Sequence, residues 1–408
     1  MPRKTLLIVG GSVEAVAGIK TARELGYRVV VSDLNPAAPG FRHADGQIIA
    51  STYDPTGTVA AVEAWCRSHD PIDGVICLAT DVPHTVAAVA EAFGLPGISP
   101  AVAALAIDKL AMKQRFRSDG IPVPWFSAVE SADHLREIIA ERRQRLVLKP
   151  VDSRGGRGVL QLDRTSDLAW AFGESLRQSP SGRVMAEEFL SGPQVSTESI
   201  ILDGVAYTPG FADRNYEFLE TYAPYFIENG GCLPSHLPVA QQQAVCELVD
   251  RAARSLGVHS GVVKGDIVVC DSRPYVIELA ARLSGGYFCT HSIPLNTGVS
   301  TIVAAVRLAL GEPVDSESLR PKYCRGVAQR YLFAAPGRVT TIRGVEAARQ
   351  LPGIEELLIT VAPGDIVGRP SDSNGSQGMV LATGADYQQA TQRVLAAVAR
   401  IQIVTEPL

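Results

Sequence analysis

The 408-residue chain lacks most of the features that announce a function class. Charge of neither sign dominates: 38 Lys plus Arg stand against 43 Asp plus Glu, interspersed, for a net −5. That balance offers no basic stripe to nucleic acid and no polybasic cluster to a membrane. No apolar run reaches the roughly 18 residues that a bilayer span needs. The start, MPRKTLLIVGG, passes directly into a strand-like run and not into a signal peptide. The expectation is a cytoplasmic protein with small-molecule partners. Seven cysteines are scattered, odd in number and without C-x-x-C spacing, so neither a disulfide framework nor a zinc site is suggested.

The familiar catalytic and cofactor motifs are also missing. G-x-G-x-x-G is absent after the first strand, where Gly10 and Gly11 are adjacent and Val13 stands in place of a later glycine. A nicotinamide dehydrogenase is thereby disfavoured. No G-K-[ST] follows a glycine loop, so there is no Walker A motif, and no G-x-S-x-G elbow or Cys/His pairing demands a covalent nucleophile. Neither internal repeats nor low-complexity tracts occur.

What is present begins with order. Thr5–Gly11, an amphipathic helix to about Leu25, and Tyr27–Asp33 form a strand–helix–strand unit with apolar strands, which predicts a parallel sheet. Helices at 56–68 and 83–93 around a strand at 74–79 extend it, so residues 1–105 read as a doubly wound α/β domain. Asp108–Ser118 has helical spacing, stopped by Gly120, with Pro122 and Pro124 forcing an extended exit. Lys149 ends an apolar strand, followed by Gly155, Gly156 and Gly158 interleaved with Arg154 and Arg157. Such a loop suits an anion, because glycine lets backbone N–H groups approach closely, and it reads equally as a solvated turn. Glu187 and Glu198 sit in strands, where glutamate is disfavoured unless solvated or occupied.

The stretch GVVKGDIVVCDSRPYVIELAARLSGG, 261–286, predicts a hairpin. Alternation puts Lys264, Asp266 and Val268 on one face, and pairing brings Asp266 to Glu278 with Arg282 close by. Two hard carboxylates that fill part of an ion's shell suit Mg²⁺ when phosphate oxygens complete it. The alternative is a solvated hairpin. A helix is expected over 293–310 and another over 387–400.

Taken in order, DKLAMKQRFRSDGIPVP, LVLKPVDSRGGRGV, AEEFLSGPQVSTE, GDIVV and VIELAARLSGG resemble the ATP-grasp superfamily, and the likeness covers nearly the whole chain. It implies an α/β and α+β architecture: a doubly wound parallel domain over 1–105, an ATP-grasp fold of two α+β subdomains over 106–320 (106–190 and 191–320), and a small α+β domain over 321–408. It implies an ATP-dependent carboxylate–amine ligase that forms an acyl phosphate and ADP, with amino acids or small peptides as substrates. By the resemblance, Lys109 and Lys149 approach the α- and β-phosphates, and Arg154, Gly155, Gly156 and Gly158 cover the γ-phosphate. Glu187 reaches the adenine amino group, the backbone of Glu188, Phe189 and Leu190 reads the adenine edge, and Glu198 takes the ribose. Asp266 and Glu278 ligate Mg²⁺, one or two ions with Mn²⁺ an alternative, and Arg282 steadies the substrate carboxylate. Lys149 and Arg282 are the residues expected to carry catalysis. Gly285, Gly286, His291 and His236 are placed on substrate, with Tyr287, Arg214 and Glu217 as further pocket candidates. Many relatives read E-x-N-x-R where this chain has Ala280, which removes one metal ligand. A homodimer is also compatible with the family. The rivals are a bicarbonate-using carboxylase or purine-pathway synthetase on the same scaffold, and a nonenzymatic ATP-binding module.

Overall fold

Leu6, Leu7, Ile8 and Val9 form an unbroken apolar run buried on both faces, which is what a strand inside a two-sided α/β layer requires. In the computed structural model, which describes residues 3–372 and 375–408, this is β1 (Thr5–Val9). It is followed by α1 (Ala15–Glu24), β2 (Arg28–Asp33), β3 (Gly46–Ile49), α2 (Pro55–Cys66), β4 (Gly74–Cys77) and α3 (Pro83–Phe93). The four strands are parallel in the order β3-β2-β1-β4.

Helices α4 (Pro100–Ile107) and α5 (Lys109–Ser118) meet at Asp108, whose carboxylate accepts the Ala111 N–H at 2.8 Å and so starts α5 at Lys109. A four-stranded sheet in the order β5-β8-β6-β7 follows, made of β5 (Phe126–Val129), β6 (Leu146–Pro150), β7 (Leu160–Leu162) and β8 (Val184–Glu188). Helices α6 (Ala132–Arg142) and α7 (Leu168–Arg177) back it through Leu135, Ile138, Ile139 and Ala171.

The second sheet has eight strands: β9 (Gln194–Leu202), β10 (Val205–Arg214), β11 (Gly231–Leu233), β12 (Gly261–Cys270), β13 (Arg273–Ala280), β14 (Gly326–Tyr331), β16 (Ile354–Ile359) and β18 (Gly378–Gly384). Their order is β13-β12-β9-β10-β11-β14-β18-β16. The long amphipathic α8 (Val239–Leu256) buries Val245, Leu248, Val249 and Ala252 against it. The C-terminal region adds β15 (Gly337–Arg343), α11 (Val345–Arg349), β17 (Ile366–Val367), α12 (Tyr387–Val398) and β19 (Gln402–Glu406).

Two expectations change at the domain level. The helix expected over 293–310 breaks into α9 (Ile293–Thr297) and α10 (Thr301–Ala309), because Gly298 takes φ +73° and ends the first. Ile302, Ala305, Val306 and Leu310 then pack with Leu6, Ile8, Ile19 and Ile76, so residues assigned to 106–320 complete the core of the first domain. Likewise β14, β18 and β16 prolong the sheet of the 191–320 region, so the boundary at 320/321 divides the sequence but not the sheet. Among the described residues no helix is long and apolar enough to cross a membrane.

Candidate active site

A cavity of about 580 Å³ opens between the two sheets, lined by β6 and β8 on one side and by β9, β10, β12 and β13 on the other. The first domain contributes Glu14 and Asp81 to it, and the C-terminal strands contribute Gln329, Tyr331, Leu358 and Met379.

The hairpin brings its two carboxylates together as alternation requires. Asp266 pairs with Glu278 and Lys264 with Ala280, and the turn at Asp271-Ser272 takes positive φ at both residues, 48° and 62°. Ser196, the partner of Asp266 on β9, donates its hydroxyl to the Asp266 carboxylate at 3.0 Å. Arg214 Nη1 lies 2.8 Å from the same oxygen, and Lys264 holds the other. Burial alone would raise this carboxyl, yet Arg214 and Lys264 outweigh it and hold Asp266 far below the usual carboxylate range. Glu278 has Lys109 at 3.4 Å. Two hard carboxylates on opposed strands, both facing the cavity, fit a divalent oxygen-loving ion completed by water and phosphate oxygens. Ala280 is buried opposite Lys264 and is not on the cavity wall.

The lysines are held from several directions. Lys109, at the first turn of α5, donates to the Ser153 carbonyl at 2.7 Å, tying the glycine loop to the helix. Lys149 Nζ is 2.7 Å and Lys113 Nζ 2.9 Å from one Glu187 oxygen, all three being almost fully buried. Burial works against the charge on Glu187, and the two ammonium groups more than offset it, keeping the carboxyl ionised. Glu187 lines the cavity, and its carboxylate there is paired with Lys149 and Lys113. Lys113 was not singled out in the sequence, although a lysine inside the apolar face of α5 is itself an anomaly.

The loop itself lies over the cavity. Arg154, Gly155, Gly156 and Arg157 line it, and the Arg154 guanidinium stacks 4.4 Å from the Tyr53 ring of the first domain. Gly158 is the exception: it lies off the cavity wall at φ +71°, and a Cβ there would come 2.9 Å from Gln178 and Pro150. Its role is to let the loop return to the sheet. Glu188, Phe189 and Leu190 line the far end. The Glu188 and Phe189 N–H groups bond the Trp125 and Arg145 carbonyls at 2.9 and 3.1 Å.

Four further expectations are overturned. Glu198 shares a face with Gln194 and Ser196 but is fully buried and does not reach the cavity: it accepts bonds from the Ser284 N–H at 2.7 Å and from the Ser284 and Thr301 hydroxyls. Burial raises its carboxyl above the usual range. Gln194, two turns of the pleat earlier and beside the 188–190 segment, lines the wall, as does Ser196. His236 is exposed and away from the cavity, held by Asp213 and packed on Tyr387. His291 is half-buried, bonded to Thr290 at 2.8 Å and edge-on against the Tyr287 ring, also off the wall. Glu217 lies outside too, bonded by Asn215 at 3.0 Å, whereas Tyr287 and Arg214 do line the cavity.

Arg282 is partly buried, its side chain 14% exposed, with Nε 3.3 Å from Asp81 Oδ1, and Gly285 and Gly286 line the wall beside it. Burial opposes the Arg282 charge, and Asp81 more than restores it. The Gly286 N–H donates to Glu14 at 3.0 Å, and a Cβ on Gly285 would come 2.7 Å from the same carboxylate. Burial raises the Glu14 carboxyl. Glu14 and Asp81 were missed in the sequence. Both stand just beyond the carboxyl ends of parallel strands, where open α/β sheets bind ligands, and that position was the available signal.

Comparison with known proteins gives the arrangement its setting. A model described as ATP-grasp domain matches residues 106–286, and one described as L-amino acid ligase C-terminal domain 2 matches residues 330–406. The chain is 25% identical to an uncharacterized protein of Sinorhizobium fredii over 99% of this chain and 84% of that one. It is 26% identical to a D-alanine--D-alanine ligase of Desulforudis audaxviator over 76% of this chain and 94% of that enzyme. The solved L-amino acid ligase of Bacillus licheniformis superimposes with a TM-score of 0.82 over 99% of both chains at 21% identity, a likeness of fold.

Proposed function

We propose that this chain, which belongs to the ATP-grasp ligases and performs ATP-dependent carboxylate–amine ligation, takes α-amino acids or short peptides as its substrates. The observation that carries the reading is the cluster of Arg282, Asp81 and Glu14 around Gly285 and Gly286. A guanidinium suits a substrate carboxylate, two carboxylates suit an ammonium, and the glycines let the small molecule lie against backbone.

In this reading the adenine lies at the 188–190 segment, where Leu190 has its amide left to read the base and Gln194 stands near the ribose. Lys109, Lys149 and Arg154 neutralise the phosphates, and Glu187 keeps Lys149 aimed at them. One or two divalent ions, magnesium or manganese, held by Asp266 and Glu278 would add charge neutralisation there. Arg282 orients the donor carboxylate so that its oxygen bonds to the γ-phosphorus while the bond to ADP breaks. The amine then bonds to the acyl carbon and gives up a proton, the carbon–oxygen bond to phosphate breaks and phosphate leaves with that proton, and an amide is left. The glycine loop shields the acyl phosphate from water during the interval. The free cysteines accord with a reducing compartment, so we place the enzyme in the cytoplasm. Dimerisation rests on the family resemblance alone.

The test is ATP turnover against pooled amino acids, with and without bicarbonate, resolving ADP from AMP. ADP and phosphate formed only when a carboxylate and an amine are both present is the expected result. AMP and pyrophosphate would overturn the acyl-phosphate route, bicarbonate dependence would replace the ligase with a carboxylase, and tight ATP binding without turnover in any pool would leave a binding module.

A further inference from the structure

Outside the cavity's catalytic groups, one cluster unites three different metal-ligating side chains. Asp213, the penultimate residue of β10, pairs directly across the ladder with Cys232 of β11. His236 returns to them four residues further on. Their donor atoms lie within 4.8 Å of one another. Sequence spacing alone did not suggest a metal centre, because the third donor comes from the neighbouring strand and only the register assembles the set.

We infer that Asp213, Cys232 and His236 form a binding site for a zinc-class divalent ion, separate from the hard-ion site at Asp266 and Glu278. Both other donors converge on one atom, His236 Nδ1: Cys232 Sγ is 3.7 Å from it, and Asp213 Oδ2 is hydrogen-bonded to it. Zinc bonds of about 2.3 Å to sulfur and about 2.0 Å to nitrogen at a tetrahedral angle set these two atoms ~3.5 Å apart. The observed sulfur–nitrogen separation is close to that spacing, and the Asp213 carboxylate, which bonds the ring directly, swings away from it by about 1 Å to admit the ion, which replaces that hydrogen bond and expels the thiol proton.

The surroundings support the donors as a metal site's second layer does. Tyr387 packs edge-on against the His236 ring, centroids 3.8 Å apart, and fixes its orientation. The Ser235 hydroxyl and the His236 backbone N–H, at 2.7 Å, both bond the Asp213 carboxylate and hold it in place. Thiolate, imidazole and carboxylate together favour zinc over magnesium, which takes oxygen donors. Cys232 is buried while His236 is exposed, so the fourth position faces solvent and takes water. The site pins β10 to β11 one residue before Arg214, which holds Asp266.

The test uses the full chain, stripped with chelator and titrated with Co²⁺ as a spectroscopic stand-in for zinc. The expected result is one equivalent bound with a thiolate-to-cobalt charge-transfer band and the intense visible bands of tetrahedral cobalt. Cys232→Ser should abolish the charge-transfer band, and His236→Ala should weaken zinc binding at least tenfold, circular dichroism confirming that both variants fold. Asp266→Asn should leave the band intact. Cobalt bound without a thiolate band, zinc affinity unchanged in both variants, or a band lost only in Asp266→Asn would each overturn the site.

Discussion

Arg282 and Asp81 face each other across the junction between the parallel sheet and the eight-stranded sheet, Nε to Oδ1 3.3 Å. Neither is exposed enough for water to take over its partner's role. The pair therefore couples the proposed substrate arginine to a domain that holds none of the proposed phosphate ligands. Replacing Asp81 with Asn keeps the shape and removes the counter-charge, so Arg282 loses its fixed orientation. The KM for the carboxylate substrate should rise about tenfold, ~1.4 kcal/mol, with the KM for ATP within about twofold. Steady-state kinetics on both substrates checks this, and a rise confined to ATP would contradict the placement of Arg282.

Glu187 satisfies two buried ammonium groups at once. Glu187→Gln leaves both uncompensated, and a destabilisation of about 3 kcal/mol is expected, since breaking a buried pair strands a charge. Lys113→Met instead removes the ammonium buried deepest and leaves Lys149 paired one to one, which should cost under about 1 kcal/mol. Urea midpoints of the two variants decide it: equal losses would mean that the Lys113–Glu187 pair carries the stabilisation and that Lys149 contributes nothing to it.

The same lysine gives a pH signature. Burial, the largest influence, pushes Lys113 down from its ordinary 10.5 to about 8, with attraction to Glu187 opposing and the Lys149 charge assisting. The unfolded chain keeps this proton to about pH 10.5 and the folded chain only to about 8. Between those values the unfolded state binds more protons, so this group makes stability rise with pH. The midpoint of the natural chain should therefore gain on that of Lys113→Met between pH 8 and pH 10, and parallel curves would remove the assignment.

Much of this is legible in the sequence, for reasons particular residues make plain. The Asp266–Glu278 pairing followed from the two-residue period of a strand and a turn that fixes register. Lys109, Lys149 and the 154–156 loop followed from motif order, and each does line the cavity. Glu198 misled because alternation names a face but not depth: it lies on the same face as Gln194, and the 284–301 region roofs it over. Glu14 and Asp81 stayed hidden because they join the site only when two domains meet. The sequence places His236 on substrate, while its partners Asp213 and Cys232 are fixed by strand pairing that no local pattern records.

Gly155 and Gly158 separate loop function from loop geometry. Both take positive φ, 65° and 71°, but a Cβ on Gly155 meets nothing within 4 Å whereas one on Gly158 is pressed against Gln178 and Pro150 at 2.9 Å. Gly155→Ala should cost about 1 kcal/mol of stability from the left-handed backbone alone, and Gly158→Ala about 2 to 3 with the steric term added. Thermal or urea unfolding ranks them, and equal costs would show that the loop relaxes around position 158.

The last prediction concerns coupling. Arg154 stacks on Tyr53 of the first domain while its neighbours line the cavity, so loop closure and domain contact are one event. A guanidinium over an aromatic face contributes about 1 kcal/mol, enough to bias the loop by several-fold without locking it. Tyr53→Ala leaves every proposed phosphate and substrate contact in place and removes only this anchor. An acyl phosphate less well shielded is hydrolysed, so ADP should form in excess over amide, the ratio rising about three- to tenfold as the anchor's energy dictates. Measuring ADP and amide in one assay distinguishes this from a slower catalyst: if both fall together and the ratio stays at one, Arg154 acts on the phosphates alone and the Tyr53 contact has no part in excluding water.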